Sequence, residues 1–234
     1  MAQLSQSNKL RSHYREELVR LEEQALNGFD MVVRSLDRTI EAIENQDIEL
    51  AQIVVNDDDQ VDGRYLEVHQ GLITLLATQS PVATDLRLIA ALLHVIKNIE
   101  RMGDQCVNIA KLIPLTGHAP PSDAQMIENI VAMGRQTRIL LAQAKRSFAD
   151  RDEPLARNLA TLDDEVDRGN RECFARAIEI GDDIDRREWS MTMLLAARAI
   201  ERIGDNCVDV GEQVVFVETG LFREFEDASH PELN

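Results

Sequence analysis

Glu100-Arg101-Met102-Gly103-Asp104-Gln105-Cys106-Val107-Asn108 and Glu201-Arg202-Ile203-Gly204-Asp205-Asn206-Cys207-Val208-Asp209 are near-copies of one stretch, set 101 residues apart. Six of the nine positions are identical, and the other three exchange like for like. Each copy follows an apolar run with helical spacing. Residues i, i+4 and i+8 stack along one helix face. Glu100, Asp104 and Asn108 therefore form a polar stripe, and Glu201, Asp205 and Asp209 form its twin. The fold expected from this is all-α and duplicated.

Working outward, the rest of the chain repeats too. Apolar residues from Leu18 through Leu21, Ala25, Phe29, Val32, Val33, Leu36, Ile40 and Ile43 predict one long helix from about Lys9 to Glu44. Asn45-Gln46-Asp47 breaks it, and Asp47 can cap the next helix. That second helix runs from Ile48 to about Thr78, with Asn56-Asp57-Asp58-Asp59 either interrupting it or lying on its polar side. Gln79-Ser80-Pro81 turns the chain into a third helix, from about Thr84 to Ile113, which carries the first signature. Pro114, Gly117, Pro120 and Pro121 mark the clearest boundary. The pattern then restarts: a helix from Asp123 to Ala149, a break at Asp150–Pro154, a further helix, and a sixth from Arg186 to about Val217. Asp163-Asp164-Glu165-Val166-Asp167 answers Asp58-Asp59-Gln60-Val61-Asp62 at an offset of 105, so the second copy is four residues shorter between its motifs. A length change confined to a loop is what a duplication shows. The expected architecture is two tandem, pseudo-symmetric, antiparallel three-helix bundles, residues 1–116 and 122–219, with an acidic, frayed tail at 220–234.

The totals narrow the function. Net charge is −17 over 234 residues, with 42 acidic against 25 basic side chains. Nucleic-acid binding runs on cationic neutralisation of phosphates, so it is disfavoured; an anionic membrane surface repels the same charge. No apolar run reaches the roughly 18 residues of a membrane span, and Met-Ala-Gln-Leu-Ser-Gln-Ser-Asn-Lys lacks an apolar signal region. Three cysteines without close pairing, Cys106, Cys173 and Cys207, fit a reducing compartment. A cytoplasmic protein is expected.

The candidate site is carboxylate. Asp58 and Asp62, Asp163 and Asp167, Glu100 and Asp104, and Glu201 and Asp205 are four i, i+4 acidic pairs on two helices of each half. Like charges at that spacing disfavour a helix by about 0.2–0.5 kcal/mol per pair, and bringing two such helices together adds repulsion that a cation removes. Oxygen ligation suits magnesium, calcium, manganese, iron or carboxylate-bound zinc. The plainer alternative is a solvated acidic face with local pairs, Lys97 to Glu100, Arg101 to Asp104, Arg198 to Glu201 and Arg202 to Asp205. Cys106 and Cys207 fall about 200° round the helix from the acids and read as small interior residues. Gly103 and Gly204 suggest close helix approach. His94, Trp189 and Phe174 read as core or interface residues, and Leu195 as part of the apolar face of the sixth helix. Phosphate loops, Gly-x-Ser-x-Gly elbows, Cys-x-x-Cys and Glu-x-x-His motifs are absent, so no catalytic residue is assigned.

The doubled Glu-Arg-apolar-Gly-Asp signature, the two Asp-Asp-x-Val-Asp segments and Pro81-Val82-Ala83-Thr84-Asp85-Leu86-Arg87 resemble the PhoU family over nearly the whole chain. That resemblance implies a non-enzymatic cytoplasmic regulator of phosphate uptake and signalling, often a homodimer, that binds the ATPase subunit of a phosphate importer and a phosphate-responsive sensor histidine kinase. It meets the membrane only through those partners and restrains them when phosphate is plentiful. It also implies a multinuclear metal centre, iron or zinc before manganese or magnesium. The ligands carried onto this chain are Glu100, Asp104, Glu201 and Asp205, with Asp58, Asp62, Asp163, Asp167 and Asp209 as neighbours. The rival reading is a metal-dependent hydrolase or metal store using the same carboxylates.

Overall fold

The computed structural model describes residues 2–118, 120 and 122–225, with side chains from residue 12. Six α-helices carry the fold: α1 (Ala2–Asn45), α2 (Ile48–Thr78), α3 (Ala83–Leu112), α4 (Ala124–Asp150), α5 (Glu153–Glu179) and α6 (Ile184–Thr219). A short 3-10 turn at Ile113–Thr116 follows α3. No strand occurs among the described residues. The fold is the expected pair of antiparallel three-helix bundles. Among the described residues, no helix is long and apolar enough to cross a membrane.

The turns show why the chain reverses where it does. After α1, Gln46 takes a left-handed φ of 53°. Asp47 then caps α2 by accepting the backbone N–H of Leu50 at 2.9 Å. After α4, Arg151 takes φ 55° and Asp152 accepts the N–H of Leu155, also at 2.9 Å. A short acid as N-cap satisfies one of the orphan N–H groups of the first turn, and Pro154 follows where its missing N–H costs nothing. The run Asn56–Asp59 does not interrupt α2, which is continuous through it.

Each helix buries one stripe. Leu21, Ala25, Phe29, Val32 and Leu36 of α1 are fully buried, as are Ile89, Leu92, Val95, Ile96, Ile99, Met102 and Cys106 of α3. On α6 the buried stripe runs through Ala196, Ile200, Ile203, Cys207 and Val210. The halves do not stand apart. Helices α3 and α6 lie along each other, α1 along α4, and one apolar core continues through both bundles. Cys207 meets Met102 at that centre, Sγ to Sδ 3.7 Å. Burial pushes the Cys106 thiol up to about 12 and raises that of Cys207 well above its ordinary value, so both are inert packing residues. Ion pairs Asp30–Lys145 and Asp37–Arg138 lace the α1–α4 seam.

Four expectations are corrected here. Leu195 and Phe174 are 61% and 57% exposed. Leu195 lies eight residues before Ile203, which at 100° per residue rotates it about 80° off the buried stripe. His94 is exposed rather than a core histidine. The tail is not loose from Gly220: the N–H of Phe225 donates to Glu212 Oε1 at 2.7 Å, and the Phe225 ring lies against Gly211. Residues 226–234 of the proposed tail lie outside the described residues.

Candidate metal centre

The signature helix and its neighbour build the site in each half. In the second half, α5 carries Asp163 and Asp167 one turn apart, and α6 carries Glu201 and Asp205 one turn apart. The i, i+4 spacing aims each pair from one face, and the two faces meet. One carboxylate oxygen from each of Asp163, Asp167 and Asp205 lies within 4.8 Å of the others. Asp163 and Asp167 are buried, and Asp205 is exposed at the mouth.

Gly204 makes that meeting possible. A Cβ at Gly204 would collide with Oδ1 of Asp163, so the carboxylate rests in the space the missing side chain leaves. The close helix approach expected of this glycine is therefore an approach of a ligand-bearing residue to the α6 backbone.

Glu201, one turn before Asp205 on α6, is not among the three oxygens that converge. It is only 8% exposed. Its Oε1 accepts from Arg198, while Oε2 is buried with no hydrogen-bond partner. Burial, then the nearby Asp205 and Asp167, push its carboxyl up to about 7 against the pull of Arg198 and Arg202. A buried acceptor left without a donor costs about 1–3 kcal/mol. A cation would satisfy it. Three converging oxygens at this span are within reach of a hard ion that holds each at about 2.0–2.6 Å. The donor set, all carboxylate oxygen among the described residues, thus fits a hard or borderline metal.

The first half is built alike and closes less. Among the described residues, Asp58, Asp62 and Asp104 do not draw in to the span of the second-half triad. Above Gly103 sits the side chain of Val61, its Cγ1 3.0 Å from where a Cβ would stand. The acids still feel one another: burial, then Asp62 and Asp104, push Asp58 up to about 6. Asp104 is raised by burial, then by Glu100 and Asp62. Two lysines oppose this. Lys97 donates to Glu100 Oε2 at 2.6 Å and lies 5.0 Å over the Tyr65 ring, and Lys111 holds down both Asp58 and Asp104.

Asp209 stands away from the second-half triad. Eight residues beyond Glu201, it has rotated about 80° round α6. Its carboxyl is raised by burial but held back by Arg101 and His94 of α3. The expected i, i+8 column is therefore a two-residue column, Glu201 and Asp205, and Asp209 faces the other half. Sequence reasoning places Lys111 on the acidic side of the third helix but misses its counterpart, Glu212. They occupy equivalent positions at the same 101-residue offset as the signatures, and extending that alignment three residues past Asn108 and Asp209 exposes the charge reversal.

Beside the second-half site, Arg171 and Arg198 frame a shallow groove of about 400 Å³ on the outer face, floored by Phe174, Leu194 and Leu195.

The PhoU domain family model matches residues 27–113 and again 130–214, one match per half. The chain is 31% identical over 205 residues to a phosphate-specific transport system accessory protein PhoU homolog of Deinococcus radiodurans, covering 84% of this chain and 92% of that protein. It is 27% identical over 219 residues to the corresponding homolog of Clostridium acetobutylicum, covering 93% and 99%. Among solved structures, PhoU from Pseudomonas aeruginosa superposes with a TM-score of 0.79 at 26% identity, over 89% of this chain and all of that one. The phosphate transport system regulatory protein PhoU from Streptococcus pneumoniae superposes with a TM-score of 0.83 at 23% identity, over 91% of this chain and all of that one, which speaks to the fold.

Proposed function

We propose a function from the premise that this chain belongs to the PhoU family: it is a non-enzymatic accessory protein of a phosphate-specific transport system that restrains phosphate uptake and phosphate-responsive signalling when phosphate is abundant. The observation that carries this is the length of the match. Relatives that bear the accessory-protein name align over both bundles, end to end, so the chain has the whole of their architecture and not one borrowed module. Its partners in this reading are the ATPase subunit of the importer and a sensor histidine kinase, met from the cytoplasmic side, with the protein acting as a homodimer.

The carboxylate sets are read as metal sites. Asp163, Asp167, Asp205 and Glu201 would hold the ion in the second half, and Asp58, Asp62, Asp104 and Glu100 in the first, with iron or zinc ahead of manganese or magnesium. Bound there, the metal supplies positive charge that cross-links two helices through their acids. The chain's own part is to present the oxygens: Gly204 admits Asp163, the buried Glu201 offers an acceptor that no protein donor fills, and Arg198 orients that carboxylate through its other oxygen. The fit rests on those three features of the second half.

Deleting the gene in a strain with an intact importer and kinase should switch on phosphate-starvation genes during growth in high phosphate, measured by transcript level. Unchanged expression contradicts the regulatory reading.

A further inference from the structure

We propose that a second copy of this chain covers the outer face of α5 and α6, the two protomers packing antiparallel about a two-fold axis. The inference rests on the homodimer of the preceding reading and assigns it a surface.

Helix α6 carries two stripes where its own bundle needs one. Trp189, Met193, Ala196 and Ile200 are buried against the core. Roughly 150° round the helix runs a second line, Ile184, Glu188, Met191, Leu195 and Arg198, spaced 4, 3, 4 and 3 residues apart. That alternation is the seam of a helix that packs along another helix. Arg171, Phe174 and Ile178 repeat the spacing on α5. The two lines lie side by side: Arg171 and Phe174 line one groove with Leu195 and Arg198. Four residues further along α5 and four back along α6, Ile178 comes level with Met191. The apolar members all stand in solvent, with Phe174, Ile178, Ile184, Met191 and Leu195 between 57% and 71% exposed. A contiguous exposed apolar patch marks an interaction site.

The duplication supplies a control. The α3 residues 101 positions before the α6 line are Ala83, Arg87, Ala90, His94 and Lys97, with no apolar side chain larger than alanine. On α2, Leu66 and Ile73 flank His69, so the first half has no apolar seam across two helices. The bundle architecture therefore does not call for this seam, and the second half carries it as an addition.

Charge selects the occupant. Glu188 and Arg198 bound the α6 seam ten residues apart, about 15 Å along the helix. Met191 and Leu195 lie evenly between them. A two-fold axis at the level of Met193 exchanges Glu188 with Arg198, Met191 with Leu195 and Phe174 with Ile178. Apolar then meets apolar in the centre, and carboxylate meets guanidinium at the ends. An isologous contact requires that self-complementarity, whereas a parallel or uniformly acidic partner helix would set a like charge against Glu188. Arg171 and Arg198 pair with Asp167 and Glu201 of their own chain, yet both side chains remain more than half exposed, leaving donors for a second carboxylate. A face about 20 Å long and two helices wide is small for a protein interface, so the association is reversible, with Kd of micromolar order.

The test is sedimentation velocity of the full-length chain with chelator present, over about 1–200 µM, which brackets a Kd of that size. The wild type should shift with concentration from 26.4 kDa towards twice that mass. Leu195→Glu and Ile178→Glu should each weaken association at least about twentyfold, while Ile139→Glu, at an exposed position on α4, should match the wild type. Glu188→Arg should weaken association by setting arginine against arginine, and Glu188→Arg/Arg198→Glu should restore it. Far-UV circular dichroism checks that each variant folds. A dimer indifferent to Leu195→Glu and Ile178→Glu, or a charge swap that fails to restore it, overturns the inference and leaves the homodimer reading standing. A wild type that stays monomeric across the range overturns both.

Discussion

In the first half Gly103 lies under the isopropyl group of Val61, and in the second Gly204 lies under the carboxylate of Asp163. The surrounding nine residues are nearly the same, and so are the helices, caps and turns that deliver them. What differs is which residue of the neighbouring helix settles over the glycine, and which charges stand further along the stripe. A duplicated signature thus guarantees two similar backbones and leaves the chemistry of each to residues outside the signature.

The largest effect should separate the halves by metal-dependent stability. Adding a divalent ion at about a hundred times its Kd raises stability by about 2.7 kcal/mol if it binds only the folded state. That rise should disappear in Asp163→Asn/Asp205→Asn and survive in Asp58→Asn/Asp104→Asn, followed by urea denaturation with and without the ion. Loss in both variants, or in neither, breaks the comparison.

Next come the glycines. Gly204→Ala forces a methyl into Asp163 and should destabilise by about 1–3 kcal/mol, as overpacking does. Gly103→Ala meets only the edge of Val61, and the gain of about 1 kcal/mol from replacing a helical glycine offsets the strain, leaving a change near zero. Equal losses would show that the two approaches are alike after all.

A pH series gives a third contrast. In the metal-free protein, Glu201 and Glu212 are pushed up to about 7 and Asp58 to about 6, all by burial first. A carboxyl raised on folding binds protons more tightly in the folded state, so its contribution is full below the unfolded value and is lost as pH rises through the folded one. The Tm should therefore fall between about pH 5 and pH 7.5. Glu201→Gln should flatten that fall, and added metal at pH 7.5 should reverse part of it. Around Glu201 the opposing charges are Arg198 and Arg202 against Asp205 and Asp167; a rising Tm over this range would mean the arginines dominate.

The smallest effect belongs to the outer face. Below the concentration at which copies associate, Phe174→Ser and Leu195→Ser remove exposed side chains and should each change stability by less than about 0.5 kcal/mol, in contrast to any buried leucine of α1. A loss of several kcal/mol there would place these residues in the protomer's own core.

Much of this was legible in the sequence. The 3.6-residue spacing from Leu18 to Ile43 locates α1, and Asp47 and Asp152 announce the turns, because local patterns and caps are set by local physics. Pairing of carboxylates at i, i+4 also follows from one helix alone. Closure of the second site does not, since it depends on how deeply α5 sits against α6 at Gly204. The exposure of Leu195 and the drift of Asp209 come from the same source: a run of eight residues does not stay on one face of a 3.6-fold helix. The anchoring of Phe225 by Glu212 is a contact between two acidic-looking stretches that no periodicity marks.

The central claim is that the second half presents a metal site built from Asp163, Asp167, Glu201 and Asp205. Elemental analysis of protein purified without chelator tests it most directly, comparing the wild type with Glu201→Gln/Asp205→Asn and with Glu100→Gln/Asp104→Asn. The account predicts bound metal in the wild type, its loss in the second-half variant and its retention in the first-half variant. Wild-type protein without metal, or the same metal content in all three, would contradict it.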